Sequence, residues 1–413
     1  MKQITRADCQ AMDQNDPLSF LRDEFEMPKG LINMDGNSLG ALPKSTFQKL
    51  TRTVKEEWGI GLIRSWSAAG WFESPVRIGN KIAPLIGAKE GEVLVADTTS
   101  INLFKALAAA SQMNKDRSIL LSESGNFPTD LYMMQGLAAL SNNRLQTKIV
   151  SPEQLQDSLT EEVAVLLLTQ VNFKTAEIKD LQVITQKAHE KGIIVIWDLS
   201  HSVGSIEVDL TAANADFAVG CGYKFLNGGP GAPAFIYVPK RHQAVAQNML
   251  SGWMGHADPF AFTEKYVPNS SIERFRSGTP TILGMTALEN GVDLFQKTSI
   301  RALRKKCVQL SELFIHLMSQ TCGTYGFELA SPTDATQRAG HVAFSHPEGH
   351  AIYQAIKQKQ IISDFRTPNI LRFGITPMYL RYVDIYDVVM AIREVMETGV
   401  WDRAEYKIRA TIT

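Results

Sequence analysis

The chain has 413 residues, enough for a large domain and a smaller one, and its 44% hydrophobic and 21% charged residues are the balance of an ordinary globular protein. A formal net charge of -1 excludes a general binder of nucleic acid or anionic membrane, which needs a strongly basic face. No apolar run approaches the length of a membrane span, and the opening MKQITRADCQAMDQNDPL lacks a signal-peptide core, so a cytoplasmic protein is expected.

In chain order, a short amphipathic start (Leu18, Leu21, Phe25) precedes a turn-rich loop, INMDGNSLGALP, from Ile32 to Pro43. Pro43 then opens a predicted helix with Phe47, Leu50, Val54 and Trp58 along one face. Trp58, Trp66, Trp71 and Phe72 crowd the next stretch; such aromatics serve packing or an interface, and would also wall an aryl ligand. From Glu92, strands and helices alternate. EVLVAD runs through Thr98-Thr99-Ser100 into a helix near Ile101, where hydroxyls and free backbone N-H groups at a positive helix end form either an ordinary cap or a phosphate cradle. SILLSE is a further strand, and Phe127, preceding Pro128, is pushed into an extended loop. TKIVS and VAVLLLTQ read as buried strands, the second ending at Thr169, and KDLQVITQKAHEKG as an amphipathic helix stopped by Gly192, with His189 solvated. This alternation predicts a mainly parallel sheet with helices on both faces.

Ile193 to Val238 is the centre of the chain. An apolar run ends on Asp198, His201 follows, and a second run (Phe217 to Gly220) ends in a loop carrying Tyr223 and Lys224, then Gly228, Gly229 and Gly231, glycines that let a backbone approach a ligand. The crevice beyond the carboxyl ends of such strands is where open α/β sheets bind ligands. A lysine in weakly polar surroundings can serve as a nucleophilic amine, the requirement for a Schiff base, and the matching cofactor is pyridoxal 5'-phosphate (PLP) with a carboxylate opposite its ring nitrogen. Taken singly, a strand-end Asp and a lone Lys are also ordinary surface features.

Beyond Val238, the stretch LSGWMGHADPFAFTEKYVPNSSIERFRSGTPTILGMTALENG is loop-rich, as functional or interface segments are. Helices from Ile282 to Lys297 and Ile300 to Thr321 lead to GHVAFSHP, IISDFR and ILRFGI, read as strands of a small α+β cap. His341, His346 and His350 form no metal motif, because Pro347 and Gly349 break the helix an i, i+4 pair needs. Cys9, Cys221, Cys307 and Cys322 are widely spaced and indicate neither a disulfide framework nor zinc. Arg372 is a charge inside an apolar strand and requires an anion, either an internal carboxylate or a ligand's.

DLSHSVGSIEVDL with ADFAVGCGYKFLNGGPGAPAFIYV, together with GNSLG, FPTD, GWMGH and FRSGTP, resembles the kynureninase family, from about Gly36 to the C-terminal helix. The Asp-x-x-His and Lys arrangement is shared more widely with cysteine desulfurases and small aminotransferases. The resemblance implies an α/β fold of the fold-type I PLP-dependent transferases: a mainly parallel seven-stranded sheet with helices on both faces, plus a small α+β C-terminal domain. It divides the chain into an N-terminal segment at 1–45, a large PLP-binding domain at 46–295 and a small domain at 296–413.

The implied reaction is hydrolytic Cβ-Cγ cleavage of L-kynurenine to anthranilate and L-alanine, a step of tryptophan catabolism. The implied assembly is a homodimer with the active site at the subunit interface, without metal, nucleic acid or membrane. Lys224 would hold PLP as a Schiff base and act with Tyr223 and Asp198. Phosphate contacts fall on Thr99 and Ser100, with Trp253 and Thr279 completing the neighbour's site. Further cofactor contacts fall on Phe127, Pro128, Thr129, Asp130, Thr169 and His201. Ser38, Trp66 and Arg372 would bind substrate, Arg372 through its α-carboxylate. Eukaryotic members carry Asn at the position of Thr279, which implies a preference here for kynurenine over 3-hydroxykynurenine. The alternatives are another fold-type I activity, desulfurase or aminotransferase, or a silent module of the same fold.

Overall fold

The computed structural model describes residues 4–408, so the outermost residues of the expected N- and C-terminal segments, 1–3 and 409–413, lie outside it. After a capped helix at Arg6–Gln14, a two-residue strand β1 (Ile32–Asn33) leads into the GNSLG loop. The main sheet comprises β2 (Val93–Val95), β3 (Ile119–Glu123), β4 (Gln146–Val150), β5 (Val163–Thr169), β6 (Ile194–Asp198), β7 (Phe217–Gly220) and β8 (Phe235–Tyr237), in the order β2-β8-β7-β6-β5-β3-β4. From β3 to β7 all neighbours are parallel, and β8 alone runs against them.

The central strands are apolar without interruption because both faces are covered. Leu166 and Leu168 join one core cluster, Val165 and Leu167 the other. TKIVS differs from its reading: β4 is the edge strand and is largely exposed, so it lacks one neighbour and one covered face. Parallel register sets Thr169 opposite Asp198, and Asp198 opposite Val219, so three strand ends open onto one crevice.

The helix at Ile300–Cys322 leads to a second, antiparallel sheet. It holds β9 (Glu328–Leu329), β10 (His341–Ser345), β12 (Asp364–Arg366) and β13 (Ile370–Gly374), ordered β12-β13-β10-β9, while β11 (Ile361–Ile362) pairs in parallel with β1. That pairing brings the N-terminal loop beside Arg372.

One further expectation holds and another is corrected. Pro43 does cap a helix at Lys44–Arg52, continued as a wide turn of π type to Gly61, but its apolar stripe is not buried: Phe47 is 74% and Trp58 56% exposed. Nor is His189 solvated, since its Nε2 lies 2.7 Å from Asp216, a carboxylate that also holds Arg241 and His242 and ties β6 to β7. Among the described residues no helix is long and apolar enough to cross a membrane, and no group of three His, Cys, Asp or Glu is placed to hold a metal.

Candidate active site

A cavity of about 300 Å³ opens at the carboxyl ends of β5, β6 and β7. Thr98, Thr99, Ser100, Phe127, Thr129, Asp130, Thr169, Asp198, His201, Tyr223 and Lys224 all line it, joined by Phe173 and Ser200. Its floor is the pair of strand ends at Thr169 and Asp198. One end is the N-terminus of the helix Thr99–Met113, where Thr98 caps by accepting from the Ile101 N-H and the next hydroxyls face the cavity.

The Lys224 amine lies 2.8 Å from His201 Nε2 and 5.9 Å from the ring centre of Phe127. Phe127 is extended before Pro128 and stands edge-on to Phe173, ring centres 5.3 Å apart. Asp198 accepts from the Ser200 N-H at 2.7 Å; burial raises its pKa, against the pull of Ser200 and Lys224. Burial and then the charge of Asp198 push Asp130 well above the ordinary carboxyl range. Burial, reinforced by Lys224, holds the His201 imidazole neutral. The Tyr223 hydroxyl is raised chiefly by burial.

The GNSLG loop reaches this region directly. Gly40 donates its N-H to the Tyr223 carbonyl, and a Cβ there would sit 2.3 Å from the Lys224 carbonyl oxygen, so a side chain would displace the lysine loop. The other glycines act differently from their reading: Gly229 and Gly231 have positive φ and supply turns, and neither lines the cavity.

Arg372 is 1% exposed and fully engaged. Its Nε donates to Asp364 Oδ1 at 2.7 Å and its Nη2 to Asp364 Oδ2, while Nη1 donates to the Phe173 carbonyl and Nη2 also reaches Ser38 Oγ at 3.2 Å. Ser38 Oγ donates to Asp364 at 2.6 Å, and Arg366 adds a second cation at 3.0 Å. Burial pushes the Asp364 carboxyl up, but Arg372, Arg366 and Ser38 outweigh it and hold it at about 2. The internal-carboxylate reading of Arg372 is therefore the arrangement present, with the cavity-lining Phe173 as its other neighbour.

Beside this pair, burial and then the charge of Asp364 push Asp35 up to about 7. A carboxyl whose folded-state pKa is raised contributes stability below about pH 4 that is lost as pH rises towards about 7. Asp35→Asn removes that loss, so the variant's Tm should gain on the wild type by several degrees between about pH 4 and pH 8. A constant difference in thermal melts across that range would contradict the assignment.

Six expected residues do not line the cavity: Arg372 and Ser38 stand behind Phe173, and Pro128, Trp66, Trp253 and Thr279 lie outside it, the last two being expected in a neighbour's site. Trp66 packs edge-on against Trp71, ring centres 5.9 Å apart. Trp253 is 41% exposed and meets Phe260. Thr279 lines a separate hollow with Asp97 and Arg276. The buried Lys105 fastens that region to the helix start, donating to Asp97 at 2.5 Å and to the Phe275 carbonyl at 2.6 Å. Pro128 begins the helix at the cavity's edge without lining it. Residues missed in the sequence are Phe173 and Ser200 in the cavity lining, Asn126, whose Oδ1 accepts from the Thr169 hydroxyl, and Asp364. Asp364 lies eight residues before Arg372 in a short hairpin and pairs with it across β12 and β13.

A lysine amine, a buried acid across the cavity, a flat ring and a helix N-terminus with hydroxyls fit a phosphorylated pyridine aldehyde in size and chemistry. Solved structures with this fold include the apo form of a cysteine desulfurase from Thermococcus onnurineus NA1, with TM-score 0.78 and 17% identity over 92% of this chain and 98% of that one. Another is a C-DES mutant with glycine covalently linked to its PLP cofactor, with TM-score 0.78 and 15% identity over 90% and 98%. At those identities they establish the fold-type I architecture alone. The family model for the kynureninase C-terminal domain matches residues 303–392, the stretch that supplies Asp364 and Arg372. Curated kynureninases match end to end: that of Burkholderia pseudomallei (strain 1106a) is 44% identical over 99% of this chain and 100% of its own, and that of Pseudomonas fluorescens 43% over the same shares. Full-length identity at this level, over a fold and cavity of the matching kind, makes the chain a member of the kynureninase family.

Proposed function

We propose that the protein is a PLP-dependent hydrolase that cleaves the Cβ-Cγ bond of L-kynurenine to anthranilate and L-alanine. The observation that carries this reading is the single cavity uniting Lys224, Asp198, Tyr223 and Phe127, with Arg372 and Ser38 joined to it through Phe173. When bound, the cofactor supplies an aldehyde for the amine of Lys224 or of the substrate and an electron-withdrawing ring that stabilises negative charge at the substrate's Cα.

Lys224, the amine at the cavity wall, takes the proton from Cα. Asp198, an acid buried at a strand end, holds a proton on the pyridine nitrogen. Thr99 and Ser100 present hydroxyls and N-H groups to the phosphate, and Phe127, Thr129, Asp130, Thr169 and His201 frame the ring. Ser38 and Arg372 take the α-carboxylate. Tyr223 anchors the phosphate and relays a proton. The hydroxyl of a water adds to the γ-carbonyl carbon, which leaves as the carboxyl group of anthranilate, the water's other proton goes to Cβ, and Lys224 returns a proton to Cα to complete alanine.

A homodimer in the cytoplasm completes the proposal, divided into the 1–45, 46–295 and 296–413 units. The dimer is supported by the exposed Phe47, Trp58, Phe260 and Phe262, and by Trp253, Trp66 and Thr279, which lie outside their own chain's cavity and are free to serve a neighbour's. A desulfurase is disfavoured because all four cysteines are buried and none lines the cavity. The PLP-loaded protein should release fluorescent anthranilate from L-kynurenine and no sulfide from L-cysteine; the reverse outcome would make it a desulfurase.

A further inference from the structure

The Arg372 guanidinium has two recognition edges, and the structure treats them differently. The side edge, Nε and Nη2, is taken by both oxygens of Asp364. The end edge, Nη1 and Nη2, meets only single oxygens, Ser38 Oγ and the carbonyl of Phe173, a residue that lines the cavity. We infer that Asp364 is a positioning residue for substrate recognition: it clamps Arg372 side-on so that the end edge is presented to the α-carboxylate, which takes the place of the Phe173 and Ser38 oxygens. The inference rests on the proposed kynurenine reading of the same site.

Several observations support it. Asp364 is 4% exposed and sits opposite Arg372 in the β12–β13 pairing, so the clamp is set by backbone register. Ser38 Oγ donates to Asp364 while standing at Arg372 Nη2, which connects the N-terminal loop to the same clamp. Arg366 also binds Asp364, so the clamping carboxylate is itself held in place from a second side. Release of the Phe173 carbonyl would free the segment whose ring packs against Phe127, so carboxylate docking and the aromatic wall of the cavity share one residue. An arginine without its second carboxylate oxygen has no fixed edge to offer, and its entropy must then be lost on binding.

The opposite possibility is that Asp364 merely competes with the substrate for Arg372. The probe that separates the two is 4-(2-aminophenyl)-4-oxobutanoate, the substrate lacking its α-amino group, with the corresponding ketone lacking the carboxylate as control. Calorimetric titration of the PLP-loaded enzyme with the acid should show binding weakened at least about tenfold by Asp364→Asn, with the ketone unaffected. In turnover, KM for L-kynurenine should rise by a similar factor while kcat changes by less than about threefold. Tighter binding of the acid by the variant, or an unchanged affinity, overturns the inference.

Arg366→Gln provides a second arm that does not depend on the stability of Asp364→Asn. It leaves the side-on clamp intact, so affinity for the acid should change by less than about threefold. A fall as large as tenfold would mean that net charge, and not the orientation of Arg372, governs binding. If the wild type binds the acid no better than the ketone, the carboxylate role of Arg372 itself fails, and that failure is distinct from failure of the clamp.

Discussion

Alanine at position 224 should leave a folded chain with turnover reduced roughly 10⁴-fold or more, because one amine both anchors the cofactor and moves the Cα proton. The structure offers no substitute. The cavity's other nitrogen base, His201, is held neutral by burial and sits against the lysine itself at 2.8 Å. Borohydride treatment of the PLP-loaded wild type should fix the cofactor on the peptide containing Lys224, with the Lys224→Ala chain unlabelled. Because Lys224 is only half-buried and makes no direct ion pair, and the Ser200 N-H still holds Asp198, Tm should change little. A mutant retaining even a tenth of wild-type kcat would remove Lys224 from the chemistry.

Arg372 should produce the second large effect, and on a different parameter. Loss of a desolvated charged pair to the substrate carboxylate is worth about 3 kcal/mol, which corresponds to roughly a 100-fold rise in KM for Arg372→Ala. The same change leaves Asp364 buried beside Arg366 alone, and breaking a buried pair costs about 3–5 kcal/mol of stability. The alanine variant should therefore melt at a lower temperature as well as bind poorly. Arg372→Lys separates the two effects: a point charge keeps Asp364 compensated but lacks the fork, so Tm should recover more than KM. Steady-state kinetics beside thermal melts checks this, and an unchanged KM in either variant would make Arg372 purely structural.

The central crevice was legible because its signals are local. Asp198 ends an apolar run, Lys224 follows a second run, and parallel register then has little choice but to set their ends together. Phe127 was legible from the proline behind it, whose ring forces an extended backbone. Asp364 was harder, since the partner of a buried arginine depends on which hairpin register forms, and composition does not reveal that. His189 looked solvated for the same reason: its partner Asp216 lies 27 residues on, across a loop. The stripe of Phe47, Val54 and Trp58 was read correctly as apolar, but an apolar face states that something covers it without stating what. Among the described residues nothing does, which is where the proposed second subunit enters.

The central claim is hydrolytic cleavage of L-kynurenine at the Lys224 site, and the most direct measurement is turnover of L-kynurenine in ¹⁸O-labelled water. The account predicts one anthranilate and one L-alanine per substrate consumed, with a single ¹⁸O atom in the anthranilate carboxylate and none in the alanine. An aryl product without the label, or consumption of L-kynurenine with no anthranilate formed, would contradict it.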